Sequence, residues 1–512
     1  MGVATLDPRV RRASPTLAEF LASPRVFWAI VALYLAAHVL LRLWETPNIA
    51  KNDVQEAVSA QLWAWGYHPR NPPLHTWLLM GSYAVFGVRL MAHVALKYAL
   101  LGAALGFAYL CGRRLLPNRT LAAASALSLT LLAPFAWTVH TALTHTLLLA
   151  AINLATLWAA ARLTAMRRTS DYIVFGVAIA LGFLAKYSFA LFLLPLVAAM
   201  LTQRELRRAL LDRRILISLG LALLLFAPHG VWMLEARFDF AQFLAEKQRS
   251  AIPQPYFADV AAGFGNLAWA ALSFLVPLLL IFPLAFRHAF AARTASPWAA
   301  ATAWLILFSL GLLALDVLVL RATAFEQRYM MCALLTAPLA AFLRLEPRAI
   351  SPKAVAAFAV CAAAVAAVAF AALAGRALLS HQTCNRCWEE MPTGALVREV
   401  RRAGFVEGTI IADHYNLAGN MRLAFPDSRI MAANYLVAQP PLDGAGQCLL
   451  MWNARNAGDP LPQAISDYLA QQGSPPPAGQ PTYVDAPLRR SGRMDRFGYW
   501  LVPDRDANCR PL

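Results

Sequence analysis

Residues 171–202 read DYIVFGVAIALGFLAKYSFALFLLPLVAAMLT, an apolar run broken by one interior cation, Lys186. A helix needs ~20 apolar residues to cross ~30 Å of hydrocarbon, so this run is too long for a single span. A lysine at mid-bilayer is also costly. Both facts are met if two helices, 171–185 and 187–202, meet in a tight turn at Lys186. Further apolar blocks lie on either side, at 26–44, 90–110, 120–139, 143–161, 215–233, 263–284, 298–319, 329–343 and 354–374. The pattern predicts an α-helical polytopic membrane protein with about eleven transmembrane helices.

Composition agrees. Of 512 residues, 59% are hydrophobic and 14% charged, whereas soluble domains are about half apolar and about a quarter charged. Alternating segments of ~10 residues, the signature of a membrane β-barrel, are absent. The first block is too long for a signal-peptide core and lacks a small-residue cleavage site, so it is expected to remain as a span. The net charge of +17 does not point to nucleic acid. Most of the excess is arginine between apolar blocks, where it orients a membrane protein, and no aromatic-basic interleaving of an RNA-binding kind appears.

Those arginines set the topology. Arg9, Arg11, Arg12 and Arg25 precede the first block. Arg113, Arg114 and Arg119, then Arg162, Arg167 and Arg168, then Arg204, Arg207, Arg208, Arg213 and Arg214 follow in alternate connections. Arg287 and Arg293, then Arg344, Arg348 and Lys353, complete the series. Positive loops stay inside, so the N-terminus is expected in the cytoplasm of a bacterial-type inner membrane. An odd number of spans then puts the C-terminus in the periplasm.

Two segments are large on that outer side. Residues 1–380 read as the transmembrane domain, with an outer loop at 45–89. Within that loop the run 74–86 is too short to span and is expected at the interface. Residues 381–512 read as a small soluble α/β domain with strands at 409–412, 428–432 and 447–452 and a helix at 415–424. No internal repeat is visible. Cys384, Cys387, Cys448 and Cys509 fall in this outer domain, where disulfides are preferred over a zinc site because only one CxxC pair exists. The spacing does not give their pairing.

The outer loop holds the most unusual chemistry. Asn52, Asp53, Gln55 and Glu56 precede Trp63, Trp65, Gly66, Tyr67, His68 and Arg70, and Asn71-Pro72-Pro73-Leu74-His75 follows. Asp53 and Glu56 are three apart and share a helix face. The structural alternative is that they cap a surface helix beneath an interfacial aromatic belt. Other polar groups sit at the outer ends of spans: Lys186, His140, His145, His229, Arg321, Glu326 and Arg328. Each alone fits snorkelling or helix-end packing. Together they suit a reaction on an anionic lipid-linked substrate.

The ordered set resembles the family 39 glycosyltransferases of the GT-C type, which include protein O-mannosyltransferases and lipid A aminoarabinose transferases. The residues that carry the resemblance are Asp53, Trp65-Gly66-Tyr67, Pro72-Pro73-Leu74, Leu184-Ala185-Lys186-Tyr187, Ala227-Pro228-His229-Gly230-Val231-Trp232 and Glu326-Gln327-Arg328-Tyr329. With Ala412-Asp413-His414-Tyr415-Asn416, the chain looks most like the rhizobial galacturonic acid transferase branch. It departs from the family in having Val54 rather than an acid after Asp53, and Asn71 before the Pro-Pro pair. The resemblance implies transfer of a sugar from a polyprenyl-phosphate donor to lipopolysaccharide, lipid A or another envelope acceptor. The family's loop aspartate, its catalytic base, maps onto Asp53, with Glu56 the nearest second acid.

Lys186, Arg328 and Arg70 are expected to bind the donor phosphate. Tyr67, His68, His75, His145 and His229 are expected on the substrate side. Neither a cofactor nor a divalent metal is expected, since no acidic cluster shows metal-ligand spacing. The competing readings are a polyprenyl-lipid flippase or transporter, and a non-catalytic subunit that presents the outer domain. No paired halves of a transporter kind are visible.

Overall fold

The computed structural model describes residues 17–236, 254–289, 296–383, 388–435, 437, 440, 446–454, 461–474, 477, 479–502 and 509. Helix α1 (Pro24–Glu45) starts on Pro24, whose missing N–H costs nothing at a first helical position. Two short helices of the outer loop follow, α2 (Asn52–Ser59) and α3 (Leu74–Phe86). Helix α4 (Leu90–Leu115) runs back and ends on Arg113 and Arg114, cations that suit a helix C-terminus. The long helices beyond are α5 (Thr144–Met166), α6 (Thr169–Ala185), α7 (Tyr187–Thr202), α8 (Ile215–Glu235), α9 (Tyr256–Phe286), α10 (Pro297–Leu320) and α11 (Pro352–Thr383). Among the described residues, seven helices are long and apolar enough to cross a membrane, and α6, α7 and Met330–Phe342 are shorter apolar helices.

The break at Lys186 lies where the sequence predicts it. Lys186 is extended (φ −167°) between α6 and a tight turn at Tyr187–Phe189. Two other blocks are less regular than expected. Residues 120–139, read as one span, form Arg119–Leu131 and Pro134–Thr141, bent by 74°. Leu132 is extended and Pro134 cannot donate to the preceding turn, so the helix cannot continue. Residues 329–343 form two pieces, Met330–Ala333 and Ala337–Phe342, with Pro338 opening the second.

The C-terminal unit is a five-stranded mixed sheet of β1 (Gly408–Ala412), β2 (Arg429–Ala432), β3 (Gln447–Asn453), β4 (Thr482–Pro487) and β5 (Met494–Val502). Its order is β2-β1-β3-β5-β4. β1 is parallel to β2 and β3, and β5 is antiparallel to β3 and β4. A helix, α12 (Tyr415–Ala424), connects β1 to β2. Sequence reading located β1, α12, β2 and β3 but not the β4–β5 hairpin. A disulfide joins Cys448 to Cys509. Cys384 and Cys387 lie outside the described residues.

This unit is clamped to the outer loop. The Gln61 amide donates to Ile430 O and accepts from Ile430 N, both at 2.8 Å, and so satisfies the backbone of edge strand β2. Asn420 does the same for Ile49, at 3.0 Å on each side. Gly419 lets α12 close on α2: a Cβ there would lie 2.6 Å from Val54 Cα, a backbone atom that cannot give way. α2 is thereby fixed between the sheet and the helical bundle.

Candidate active site

The two acids of α2 point into buried polar surroundings. Neither caps the helix, since its N-cap, Lys51, makes no side-chain cap bond. Asp53 Oδ2 accepts from Lys97 Nζ at 3.1 Å, and His93 Nδ1 lies 3.9 Å from Oδ1. Burial alone would raise the Asp53 pKa, but the Lys97 ammonium and His93 outweigh it and hold the carboxyl far below the usual range. Glu56 behaves alike. Burial opposes its charge, yet His145 and His75 keep its carboxyl well below normal. Its Oε1 lies 2.7 Å from His145 Nε2 and its Oε2 lies 2.9 Å from His75 Nδ1. Thr76 Oγ1 donates to the same Oε2 at 2.9 Å. Both acids are therefore ionised at neutral pH.

Beside α2 lies a cavity of roughly 350 Å³ between the loop, the bundle and the C-terminal sheet. Lys186, Arg328, Arg70, His68, His145 and Asp316 line it, together with Asn52 and Gln55 of α2 and Tyr435 beyond β2. Lys186 Nζ donates to Thr146 Oγ1 at 2.8 Å. Arg328 pairs with Glu326 at 2.6 Å and packs over the Tyr329 ring. His68 stacks on Tyr435 with ring centroids 5.0 Å apart. Burial, reinforced by Arg70, lowers the His68 pKa to about 4, so His68 is neutral at pH 7. Leu143, on this wall, has left-handed backbone (φ 69°), and so do Lys51 (φ 57°) and Arg321 (φ 56°), the chain neighbours of the lining residues Asn52 and Leu320. Such strain costs about 1–3 kcal/mol each and gathers at functional sites.

The structure thus brings Lys186, Arg328, Arg70, His68 and His145 to one cavity. Asp53 and His75 instead border a second, much smaller pocket with His93 and Lys97. Three other residues expected on the substrate side are engaged elsewhere. Tyr67 is buried, and its hydroxyl ties the loop to Leu62 O at 2.9 Å. His75 is taken up by Glu56. His229 lies 2.7 Å from Trp65 O and 3.0 Å from the hydroxyl of Tyr187, so it supports a cavity residue from behind. Gly66 admits this packing, because a Cβ there would strike the Trp232 ring at 2.2 Å. Sequence reading missed Lys97 and His93. A lysine inside the apolar block 90–110 was the available signal.

A loop helix with two buried acids thus stands beside a cationic cavity and under a small mixed sheet. Residues 70–232 match the family described as dolichyl-phosphate-mannose-protein mannosyltransferase. Over 455 residues the chain is 27% identical to the lipopolysaccharide core galacturonosyltransferase RgtA of Rhizobium johnstonii, covering 87% of this chain and 90% of that one. It is 28% identical to RgtB of the same organism over 491 residues, covering 93% and 97%. The fold matches the crystal structure of ArnT from Cupriavidus metallidurans bound to undecaprenyl phosphate. That match has a TM-score of 0.61 at 14% identity and covers 93% of this chain and 98% of that one. The apo form of that ArnT gives 0.58. The chain thus carries a domain similar to that mannosyltransferase family at residues 70–232, on a polytopic helical fold like that of ArnT.

Proposed function

We propose that the protein transfers a sugar from a polyprenyl-phosphate donor to the lipopolysaccharide core, lipid A or a related envelope acceptor at the periplasmic face of the inner membrane. The observation that carries this reading is the convergence of Lys186, Arg328 and Arg70 on one cavity beside α2. The galacturonosyltransferase activity for which RgtA and RgtB are named, and the lipid phosphate bound by ArnT, agree with it.

In the reaction an acceptor hydroxyl attacks the anomeric carbon. The bond from that carbon to the phosphate oxygen breaks, and its electron pair stays on the phosphate. The lipid phosphate goes from one negative charge toward two. Fixed cations in a water-poor cavity stabilise that growth, so the transfer step is read as needing no metal. The acceptor proton leaves to a carboxylate. Asp53 is the proposed base: its neighbours Asn52 and Gln55 line the cavity, and Lys97 keeps it ionised. A carboxylate of low pKa suffices, because the attacking hydroxyl turns strongly acidic as its new bond forms. Asp316 is the second reading, favoured by its place on the cavity wall. Mass spectrometry of lipid A, core oligosaccharide and secreted glycans tests the function. Cells lacking the protein should lose one sugar from one of these, and identical glycans would refute the reading.

The orientation follows from the alternating arginines. A reporter fused after residue 168 should read as cytoplasmic and one after residue 385 as periplasmic. A cytoplasmic result for the second would place the cavity on the wrong side for an envelope acceptor.

A further inference from the structure

Three buried side chains from separate elements meet beneath the cavity wall. Glu56 comes from α2, His75 from the first turn of α3 and His145 from the first turn of α5. Their exposures are 3%, 3% and 5%. One ligand atom from each lies within 4.8 Å of the other two. The imidazoles do not pack as a stacked pair, since their planes are tilted by 44°. Each instead presents a ring nitrogen to the same carboxylate, while His145 Nδ1 is buried with no hydrogen-bond partner.

We infer that Glu56, His75 and His145 form a binding site for a divalent metal ion, with zinc the ion their chemistry suits. Two imidazole nitrogens and one carboxylate oxygen are the donor set of three-ligand zinc sites that keep a fourth position open. Zinc bonds of about 2.0–2.1 Å in a tetrahedron set donor atoms about 3.3 Å apart. The 2.7 Å contact between His145 Nε2 and Glu56 Oε1 needs to open by only about half an ångström to admit the ion, and His75, which now lies 2.9 Å from Oε2, would turn its nitrogen onto the ion held at Oε1. Thr76 would stay on the second carboxylate oxygen and orient it, as a supporting hydrogen bond does around ligands. The fourth position falls to water or to an oxygen from the cavity, which His145 and Thr144 both border.

Such an ion staples α2 and α3 of the loop to α5 of the bundle. Asp53 lies one helical turn before Glu56, so the staple also sets where that carboxylate stands. The site does not rest on the transfer reaction, and its test does not read activity. Protein purified in detergent with a non-histidine tag is stripped with chelator, re-equilibrated with zinc, desalted and assayed by elemental mass spectrometry. The wild type should retain about one zinc per chain and melt several degrees higher than the stripped form, since an ion bound only by the folded state stabilises it. Cobalt(II) in its place should give the strong visible absorption of a tetrahedral site. Glu56→Gln and His145→Gln should retain below about a tenth of an equivalent. Cobalt added to stripped wild type keeps the test decisive should either variant fail to fold. Wild-type protein that holds less than about a tenth of an equivalent overturns the inference. So does zinc retained equally by a folded His145→Gln variant, or a cobalt spectrum of octahedral type.

Discussion

Asp53→Asn should lower the sugar-transfer rate per folded molecule at least about a hundredfold, because a positioned base contributes typically 10²–10⁴-fold. Asparagine keeps the shape and can still accept a hydrogen bond from Lys97, but it cannot take the acceptor's proton. A purely structural role for Asp53 predicts a different result. Loss of the buried ion pair with Lys97 costs about 3–5 kcal/mol of stability under either reading, but only a structural role makes loss of activity track loss of folded protein. Melting and rate measured on the same preparation separate the two. Asp316→Asn is the comparator. If Asp53→Asn transfers at the wild-type rate and Asp316→Asn does not, the base is Asp316.

Lys186→Met should raise the KM for the lipid-phosphate donor by roughly 10–100-fold with a smaller effect on the acceptor, as expected for a charge-assisted hydrogen bond worth about 1.5–3 kcal/mol. Methionine keeps the volume of the lysine stem at the end of α6, so the turn into α7 should survive. Arg328→Met should act in the same direction, because both cations border the same cavity. Normal donor kinetics in both variants would remove the phosphate from this part of the wall.

The bundle was legible because burial in lipid writes itself as blocks of about 20 apolar residues. Lys186 was legible for the converse reason, since a lone cation in a long apolar run has to lie at a break. The bend between Leu131 and Pro134 was not, because both halves are equally apolar and only the proline marks the fault. In the C-terminal unit, β1 and β3 read clearly because both are buried almost throughout. β4 did not, because this edge strand is mostly exposed and carries little apolar signal. The site was legible only in part. Asp53, Glu56 and the basic residues stood out by type and position. Their pairings did not: Lys97, 44 residues from Asp53, went unread, and His145, expected on the substrate side, meets Glu56 89 residues away, because no local periodicity links helices that meet only in the fold. Tyr67 and His229 have the chemistry of substrate contacts, but the loop's own backbone uses them.

On the proposed function, the cationic cavity holds a lipid-phosphate sugar while its sugar is transferred. Purified protein reconstituted with an undecaprenyl-phosphate sugar and a lipopolysaccharide acceptor tests it most directly, with both products followed by mass spectrometry. Free undecaprenyl phosphate and glycosylated acceptor should appear in equal amounts, with strongly reduced turnover in Asp53→Asn and Lys186→Met. Movement of intact donor across the bilayer with neither product formed would contradict that function and leave a flippase.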